Sequence, residues 1–455
     1  MQYYEEPIKK LPVKKYDVVI AGGGTGGVVA ALAAAKQGAK TVLIEAKGYT
    51  GGTAVEGGTA LHSFFNLWKA FPGVDKRQVV KGIPQLIIDR LQDFGGTSGH
   101  AEVLTGYNYD SVNTSIDTEI YKLVTMQMLA EAGVTIYVNT LVCGVNKINR
   151  EIKGVICESR SGREMIYASS FVDCTGYGDL SAYAGAEYSE PNDYRVANSI
   201  GVAGINMQKY YEFLNAKECM SQYSTANING NKDIIVRLSG GKKKLDPEFA
   251  EESSKIGMSM VTTSVHDNYF MFIKLNFKMP VSPTNRDEAA KAELELRKSQ
   301  YKAVQLFRKF IPGCENAFIT RTSPSLCIRR ARLIECDYDI SNDDVIEGRH
   351  FDDDIMSYGF HDLAPRYQIK NGGTYGIPYR ALLVKGVENL YATGMMITRD
   401  HKAHMSTRNT VSCMGQGQAA GTAAALCAKQ DCSSRALEYT KLRQVLESDD
   451  VYFEN

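Results

Sequence analysis

Histidine is scarce in this chain, with seven residues in 455, and tryptophan occurs once. Two of the histidines, His401 and His404, stand almost together, which marks their neighbourhood. The ten cysteines are scattered, with no Cys-x-x-Cys pair and no zinc or iron–sulfur spacing, so no metal is expected and the thiols read as buried and reduced. Charge of one sign is not in excess: 52 Lys plus Arg face 52 Asp plus Glu, which favours neither nucleic acid nor an anionic membrane as partner. The start carries no basic stretch followed by an apolar one, and no segment has the ~18 apolar residues of a membrane helix. The expectation is a cytoplasmic protein without membrane insertion.

Glycine is plentiful, and its placement is the strongest signal. The run Gly22-Gly23-Gly24-Thr25-Gly26-Gly27 follows the apolar strand pattern Asp17 to Ala21 and precedes an Ala- and Val-rich helix from Val28 to Gln37. Gly38 stops that helix, and Thr41 to Ile44 reads as a second buried strand ending at Glu45. Strand, glycine turn, helix, strand and acid make a dinucleotide-binding unit. Gly22 permits the tight turn, Gly24 lets backbone approach a pyrophosphate, and Gly27 lets helix and strand pack closely. The helix N-terminus offers N–H groups to phosphate, and Glu45 a carboxylate to ribose.

Downstream, Asn113 to Ala132 reads as a helix and Val134 to Val138 as a strand. A β meander follows over 141–147, 154–159 and 164–168. Phe171 to Cys174 runs into the turn Thr175-Gly176-Tyr177-Gly178-Asp179. From Glu187 the pattern weakens, apart from a strand near Tyr269 to Met279 and a helix from Arg286 to Phe310. A second strand-to-glycine turn ends at Gly394, and an Ala-rich helix is expected to open in Gly415 to Gly421. The expected division is a nucleotide-binding domain over 1–187, an inserted substrate or cap domain over 188–370, a closing part over 371–430, and a tail or helix over 431–455.

These motifs together resemble the FAD-dependent oxidoreductases that share the glutathione-reductase type of nucleotide domain, over roughly three fifths of the chain. The matching stretches are the N-terminal unit, Lys47 to Thr53, Asp173 to Asp179, Tyr375 to Leu383, Ala392 to Gly394 and Gly415 to Gly421. The resemblance implies an α/β fold, a three-layer ββα Rossmann-like FAD domain with an inserted α+β domain, and FAD as cofactor. It implies that Gly22, Gly24, Thr25 and Gly27 hold the pyrophosphate, Glu45 the ribose, and Val142 or Cys143 the adenine. Gly51, Gly52 and Thr53 would lie along the flavin, with Thr175 and Gly176 on the neighbouring turn and Gly394 by the ribityl chain. A helix starting near Gly417, Gln418 and Ala419 would point its N-terminus at the flavin N1–C2 carbonyl, where a helix dipole stabilises negative charge.

The spacing His404-x-x-x-Arg408, between the second glycine turn and that helix, is similar to the carboxylate-binding segment of fumarate reductase and succinate dehydrogenase flavoproteins. Arginine grips carboxylates with paired hydrogen bonds, and histidine exchanges protons near neutrality. Both residues also suit a structural role, pairing with backbone carbonyls. His401 and Lys402 share the segment. Arg329 and Arg332 match a second family stretch; if helical they share a face and cradle an anion, or they pair with Asp337, Asp339 or Asp343. His62 is a weaker candidate for flavin contact. The implied activity is hydride transfer between flavin and a carbon of a small polar, anionic substrate, reducing or forming an activated C=C bond. Oxidation of a CH–OH or CH–NH group, or a non-catalytic flavin-binding role, are the alternatives. No second glycine fingerprint is present for NADPH, so electrons are expected to come from or go to something without its own Rossmann domain here; the electron partner's identity and the oligomeric state stay open.

Overall fold

The computed structural model describes residues 10–56, 65, 74–105, 112–363 and 367–454. Val18–Ala21, Thr41–Ile44 and Ser170–Asp173 are buried along their whole lengths, as parallel strands covered on both faces must be. With Thr135–Tyr137 and Leu390–Ala392 they form a five-stranded parallel sheet. Its spatial order is Leu390–Ala392, Ser170–Asp173, Val18–Ala21, Thr41–Ile44, Thr135–Tyr137.

One layer over this sheet is helical. The helix Thr25–Lys36 packs along Thr410–Gln430, and both are buried on nearly every side. Small residues allow that approach. A Cβ at Gly417 would lie 2.2 Å from the Gly26 carbonyl oxygen, and one at Gly421 2.0 Å from that of Ala30. The Gly-rich run that reads as a helix start is therefore the middle of a helix that begins at Thr410. The other layer is the meander Leu141–Ile148, Glu151–Ser159 and Gly162–Tyr167, whose Ile152, Val155 and Ile166 join the same core. The helix expected from Asn113 starts at Thr118, with the Asp117 carboxylate accepting from the Glu119 and Ile120 N–H groups. Asn113 itself lies in a short strand.

The weakly patterned middle of the chain is a six-stranded sheet. Its order is Met220–Ile228, Asn231–Gly240, Met258–Thr263, Tyr269–Phe277, Val196–Ala203, Phe318–Thr322, with all the pairings antiparallel. The helix Arg286–Phe310 is capped by Asn285 and buries Phe307 against Phe249 and Phe270 in a second core. The 188–370 segment divides among three cores. Residues between Val196 and Ala331 build the second and, with Ile228, Ile234, Val236, Val265, Met271 and Phe272 against Ala101, a small third, whereas Ile334, Ile340, Ile355 and Tyr358 pack in the first. Asp354–Tyr358 forms a hairpin with Tyr375–Pro378. The final helix, Tyr439–Ser448, buries Leu442 and Leu446 in the first core. Among the described residues no helix is long and apolar enough to cross a membrane.

Candidate active site

A cleft of about 1220 Å³, its open mouth included, crosses the carboxyl ends of the parallel strands, the edge where doubly wound sheets bind ligands. Strand order sets the order of its walls. Thr140 and Val142 follow the edge strand, then come Glu45 and Lys47, then Gly22, Gly24 and Thr25. Thr175 and Gly176 are next, and Gly394 and Met395 close the series.

At the first end, Glu45 accepts from the Gly23 N–H at 2.6 Å and the Lys47 N–H at 2.8 Å. Burial pushes its carboxyl up, against the pull of those two donors. Lys47 is ion-paired with Glu56, which also lines the cleft. At the centre, no side chain caps the helix Thr25–Lys36, so its first N–H groups are left for an anion. A Cβ on Gly24 would meet nothing nearer than the Gly52 Cα at 3.9 Å. The room beside Gly24 is thus cleft and not protein. An acid for ribose hydroxyls, an uncapped helix with Cβ-free access, and strand backbone at Val142 fit a dinucleotide such as FAD.

Gly27 and Gly51 do not line the cleft; they shape it. A Cβ on Gly27 would fall 1.9 Å from the Gly22 carbonyl oxygen. Gly51, with φ of 113°, donates its N–H to the Gly23 carbonyl at 2.8 Å, which lays Gly52 and Thr53 along the cleft. Asp173 accepts from the N–H and hydroxyl of both Thr175 and Ser181, fixing the Thr175-Gly176 turn.

At the last end, the Gly394 N–H donates to Gln416 Oε1 at 2.6 Å, tying the second glycine turn to the long helix. The first turn of that helix supplies Cys413 to the cleft, with Arg408 just before it. A helix N-terminus does face this end, but it is that of Thr410. Gly417, Gln418 and Ala419 lie two turns further in, and Gln418 Oε1 accepts from the Ile83 N–H at 3.0 Å.

Of the five expected catalytic residues, Arg408 lines the cleft. It is paired with Asp362, and its guanidinium lies 5.4 Å from the Tyr194 ring centre. His404 is fully buried and donates from Nε2 to the Met395 carbonyl at 3.0 Å, while Nδ1 has no partner among the described residues. Burial, then the charges of Arg330 and Arg408, hold its pKa well below the ordinary value. His404 is therefore neutral, and it positions Met395, which does line the cleft. His401 is bound to Asp193 at 2.6 Å and stacks on Tyr194. Arg329 and Arg332 lie in irregular chain, not on a helix. Arg332 pairs with Asp179 at 2.7 Å and Glu190 at 3.5 Å, not with Asp337, Asp339 or Asp343. Arg329 donates to the Arg195 carbonyl at 2.8 Å and to Asn276 Oδ1 at 3.3 Å. Lys402 points to the Tyr367 ring, and His62 lies outside the described residues.

Sequence reasoning missed Glu56, Asp362, Met395 and Cys413. Leu326 and Ile328 also line the cleft, from the segment after the six-stranded sheet. Met395 and Cys413 were within reach, since each flanks a quoted motif. Asp362 stands in a stretch with no pattern to mark it.

Two known flavoenzymes match short stretches of the chain. The chain is 52% identical over 48 residues to glutathione reductase of Schizosaccharomyces pombe, and 54% identical over 43 residues to dihydrolipoyl dehydrogenase of Trypanosoma brucei brucei. These matches cover 10% of this chain, and 10% and 9% of those relatives respectively. Among solved structures, a geranylgeranyl bacteriochlorophyll reductase-like protein of Thermoplasma acidophilum superposes with a TM-score of 0.49 at 13% identity, over 96% of this chain and 83% of its own. The anhydrotetracycline hydroxylase OxyS of Streptomyces rimosus gives 0.45 at 11%, over 96% and 65%. The family model for FAD dependent oxidoreductases matches residues 17–446, and the chain belongs to that family.

Proposed function

We propose that this enzyme moves a hydride between FAD and a carbon of a small anionic substrate, a carboxylate above all, held where the cleft ends at Gly394, Met395 and Arg408. Glu45, the N-terminus of the helix Thr25–Lys36 and Val142 hold the adenosine and pyrophosphate; Gly52, Thr53, Thr175 and Gly176 follow, and Gly394 approaches the ribityl chain. When bound, FAD supplies the two-electron redox chemistry. The protein positions the substrate and balances its charge. The observation that carries the reading is Arg408, a guanidinium on the cleft wall beside the start of the helix Thr410–Gln430. The His404-x-x-x-Arg408 spacing, read as similar to the carboxylate-binding segment of fumarate reductases, is what favours chemistry at an activated C=C bond.

One observation favours a second reading, oxidation of a CH–OH or CH–NH group. His404 is neutral with its ring proton committed to the Met395 carbonyl, so it has none to deliver to a carbon. Anaerobic bleaching of the oxidised holoenzyme and reoxidation of the reduced one, screened against acids and their matched amides, test both readings. Acids are expected to react and amides to fail. Equal reaction of both, unchanged by Arg408→Met, would sink the proposal.

A further inference from the structure

Tyr177, Leu326, Ile328 and Met395 line the cleft and also pack on the second core. They mark the stretch of cleft wall that borders the inserted domain, beside the proposed substrate end. The side chains of Leu326, Ile328 and Met395 carry no exchangeable proton, whereas Tyr177 carries one on its hydroxyl.

The backbone of Tyr177 is held from both sides. Gly176 and Gly178, with φ of 73° and 71°, put a left-handed bend before and after it. The Thr175 hydroxyl donates to Asp173 at 2.8 Å and accepts from the Asp179 N–H at 3.0 Å, closing the turn. Arg332 donates to the Tyr177 carbonyl at 3.0 Å and to the Asp179 carboxylate at 2.7 Å. A Cβ on Gly176 would lie 3.9 Å from Met395 Sδ, so the turn abuts the Met395 wall. All these bonds leave the Tyr177 hydroxyl without a partner among the described residues. Since Tyr177 lines the cleft, a ligand there can accept from it.

Other proton-bearing groups of this region are committed. His404 donates to the Met395 carbonyl and Cys413 to the Arg408 carbonyl. The Cys174 thiol is bonded to the Thr393 hydroxyl at 3.3 Å. Glu56 accepts from Lys47 and from the Tyr49 hydroxyl. Thr53 lines the cleft, but an aliphatic alcohol is a far weaker acid than a phenol. Burial, then the Glu56 carboxylate, raise the pKa of Tyr177, so its proton stays in place until a much stronger base meets it.

We propose that Tyr177 is the proton donor of the reaction, giving its phenolic proton to the α-carbon of an α,β-unsaturated acid whose carboxylate Arg408 holds. This rests on the anionic-substrate reading and supplies the donor that His404 cannot be. As hydride from reduced flavin forms a C–H bond at the β-carbon, the C=C pair moves to the α-carbon. There it forms the second C–H bond with the Tyr177 proton, and the phenolic O–H bond breaks. The acid gains two electrons, the flavin loses them, and water returns a proton to the phenolate. The carbon is far more basic than the phenolate, so this proton transfer runs downhill.

The test mixes dithionite-reduced, FAD-loaded protein anaerobically with crotonate or cinnamate in D2O and reads the product by NMR. Wild type is expected to place deuterium on one face of the α-carbon. Y177F should bind both acids within about twofold of wild type, by absorbance titration of the oxidised holoenzyme, yet reoxidise about a hundredfold more slowly or worse. Its product should carry deuterium on both faces, because solvent replaces the donor. A readout without turnover uses protein labelled with 13C at tyrosine Cζ. The resonance missing from Y177F should be that of a neutral phenol at about pH 9, held there by the raised pKa, and should shift when cinnamate binds. Single-face deuteration at wild-type speed in Y177F overturns the role of Tyr177 and leaves the acid site standing. Cinnamate that binds wild type without moving that resonance does the same. No binding of either acid to wild type, and no reoxidation by either, overturns both.

Discussion

Alanine at Gly24 and alanine at Gly417, made one at a time, separate holding the cofactor from holding the fold. Gly24 has φ of −67°, which any residue adopts, and its added Cβ would find 3.9 Å of clearance. The apoprotein should accept that methyl at about 1 kcal/mol or less, the difference between glycine and alanine at a helix N-cap. Bound FAD should not, because the methyl occupies the space through which pyrophosphate meets the helix. Overpacking of this kind costs roughly 1–3 kcal/mol, a loss of about five- to 150-fold in affinity. Gly417 presents the reverse case. Its Cβ would sit 2.2 Å from the Gly26 carbonyl oxygen and 2.9 Å from that carbonyl carbon, so only movement of two packed helices can relieve it. The gain in helix propensity, about 1 kcal/mol, offsets part of a strain near the top of the ~1–3 kcal/mol range, leaving a net loss of about 2 kcal/mol. At about 2.1 cal/mol/K per residue the whole chain unfolds with an entropy of about 1 kcal/mol/K, so Tm would move only about 2 °C. The urea midpoint of the apoprotein and the FAD titration should therefore be measured side by side. A Gly24→Ala protein that binds FAD like wild type, or that loses more apoprotein stability than Gly417→Ala, would refute the reasoning.

Arg408→Met removes the ion pair with the mostly buried Asp362 and should cost roughly 1.5–3 kcal/mol of stability in a denaturant titration, together with the binding of acidic substrates; unchanged binding of acids would remove Arg408 from the site. Arg332→Met removes pairs to Asp179 and Glu190 that are partly open to solvent, so it should cost about 1 kcal/mol or less and leave the KM for acids unchanged; a large rise in KM would return Arg332 to the site. His404 is held neutral below its usual pKa of 6.5, so the unfolded chain binds a proton that the folded chain does not as pH falls. Its contribution is complete above about pH 6.5 and drains away below it. His404→Gln should accordingly flatten the acid limb of stability against pH by up to about 1.4 kcal/mol per pH unit, and an unaltered limb would show that His404 is charged in the fold.

The glycine unit was legible because each of its requirements is local: a turn, a close approach, a strand before and after. The six-stranded sheet was not, because its buried faces carry polar residues that bond to one another. Gln222 and Ser224 are buried in Met220–Ile228, where Gln222 accepts from Arg237 and Ser224 from Asn113. Asn198 in Val196–Ala203 accepts from Gln300 at 2.6 Å. Read singly, such residues resemble surface; only their partners, tens of residues away, make them core. The Gly415 to Gly421 run misled in the opposite way. Small residues suit both a helix start that admits a ligand and a stripe that admits another helix, and the choice depends on Gly26 and Ala30, which the run does not contain.

The same distinction governs the basic residues at the substrate end. Counted along the chain, His401, His404, Arg329, Arg332 and Arg408 look like one positive field. In the fold, His404 is neutral and His401 and Arg332 face carboxylates, so most of that charge is cancelled or absent. What the structure keeps on the cleft wall is Arg408, paired with Asp362 and standing among the apolar Ile328, Leu326 and Met395. Under the proposed reading a substrate carboxylate meets this guanidinium and not a broad positive field, so the paired hydrogen bonds of one arginine are expected to decide which small molecules are held, with their shape acting second.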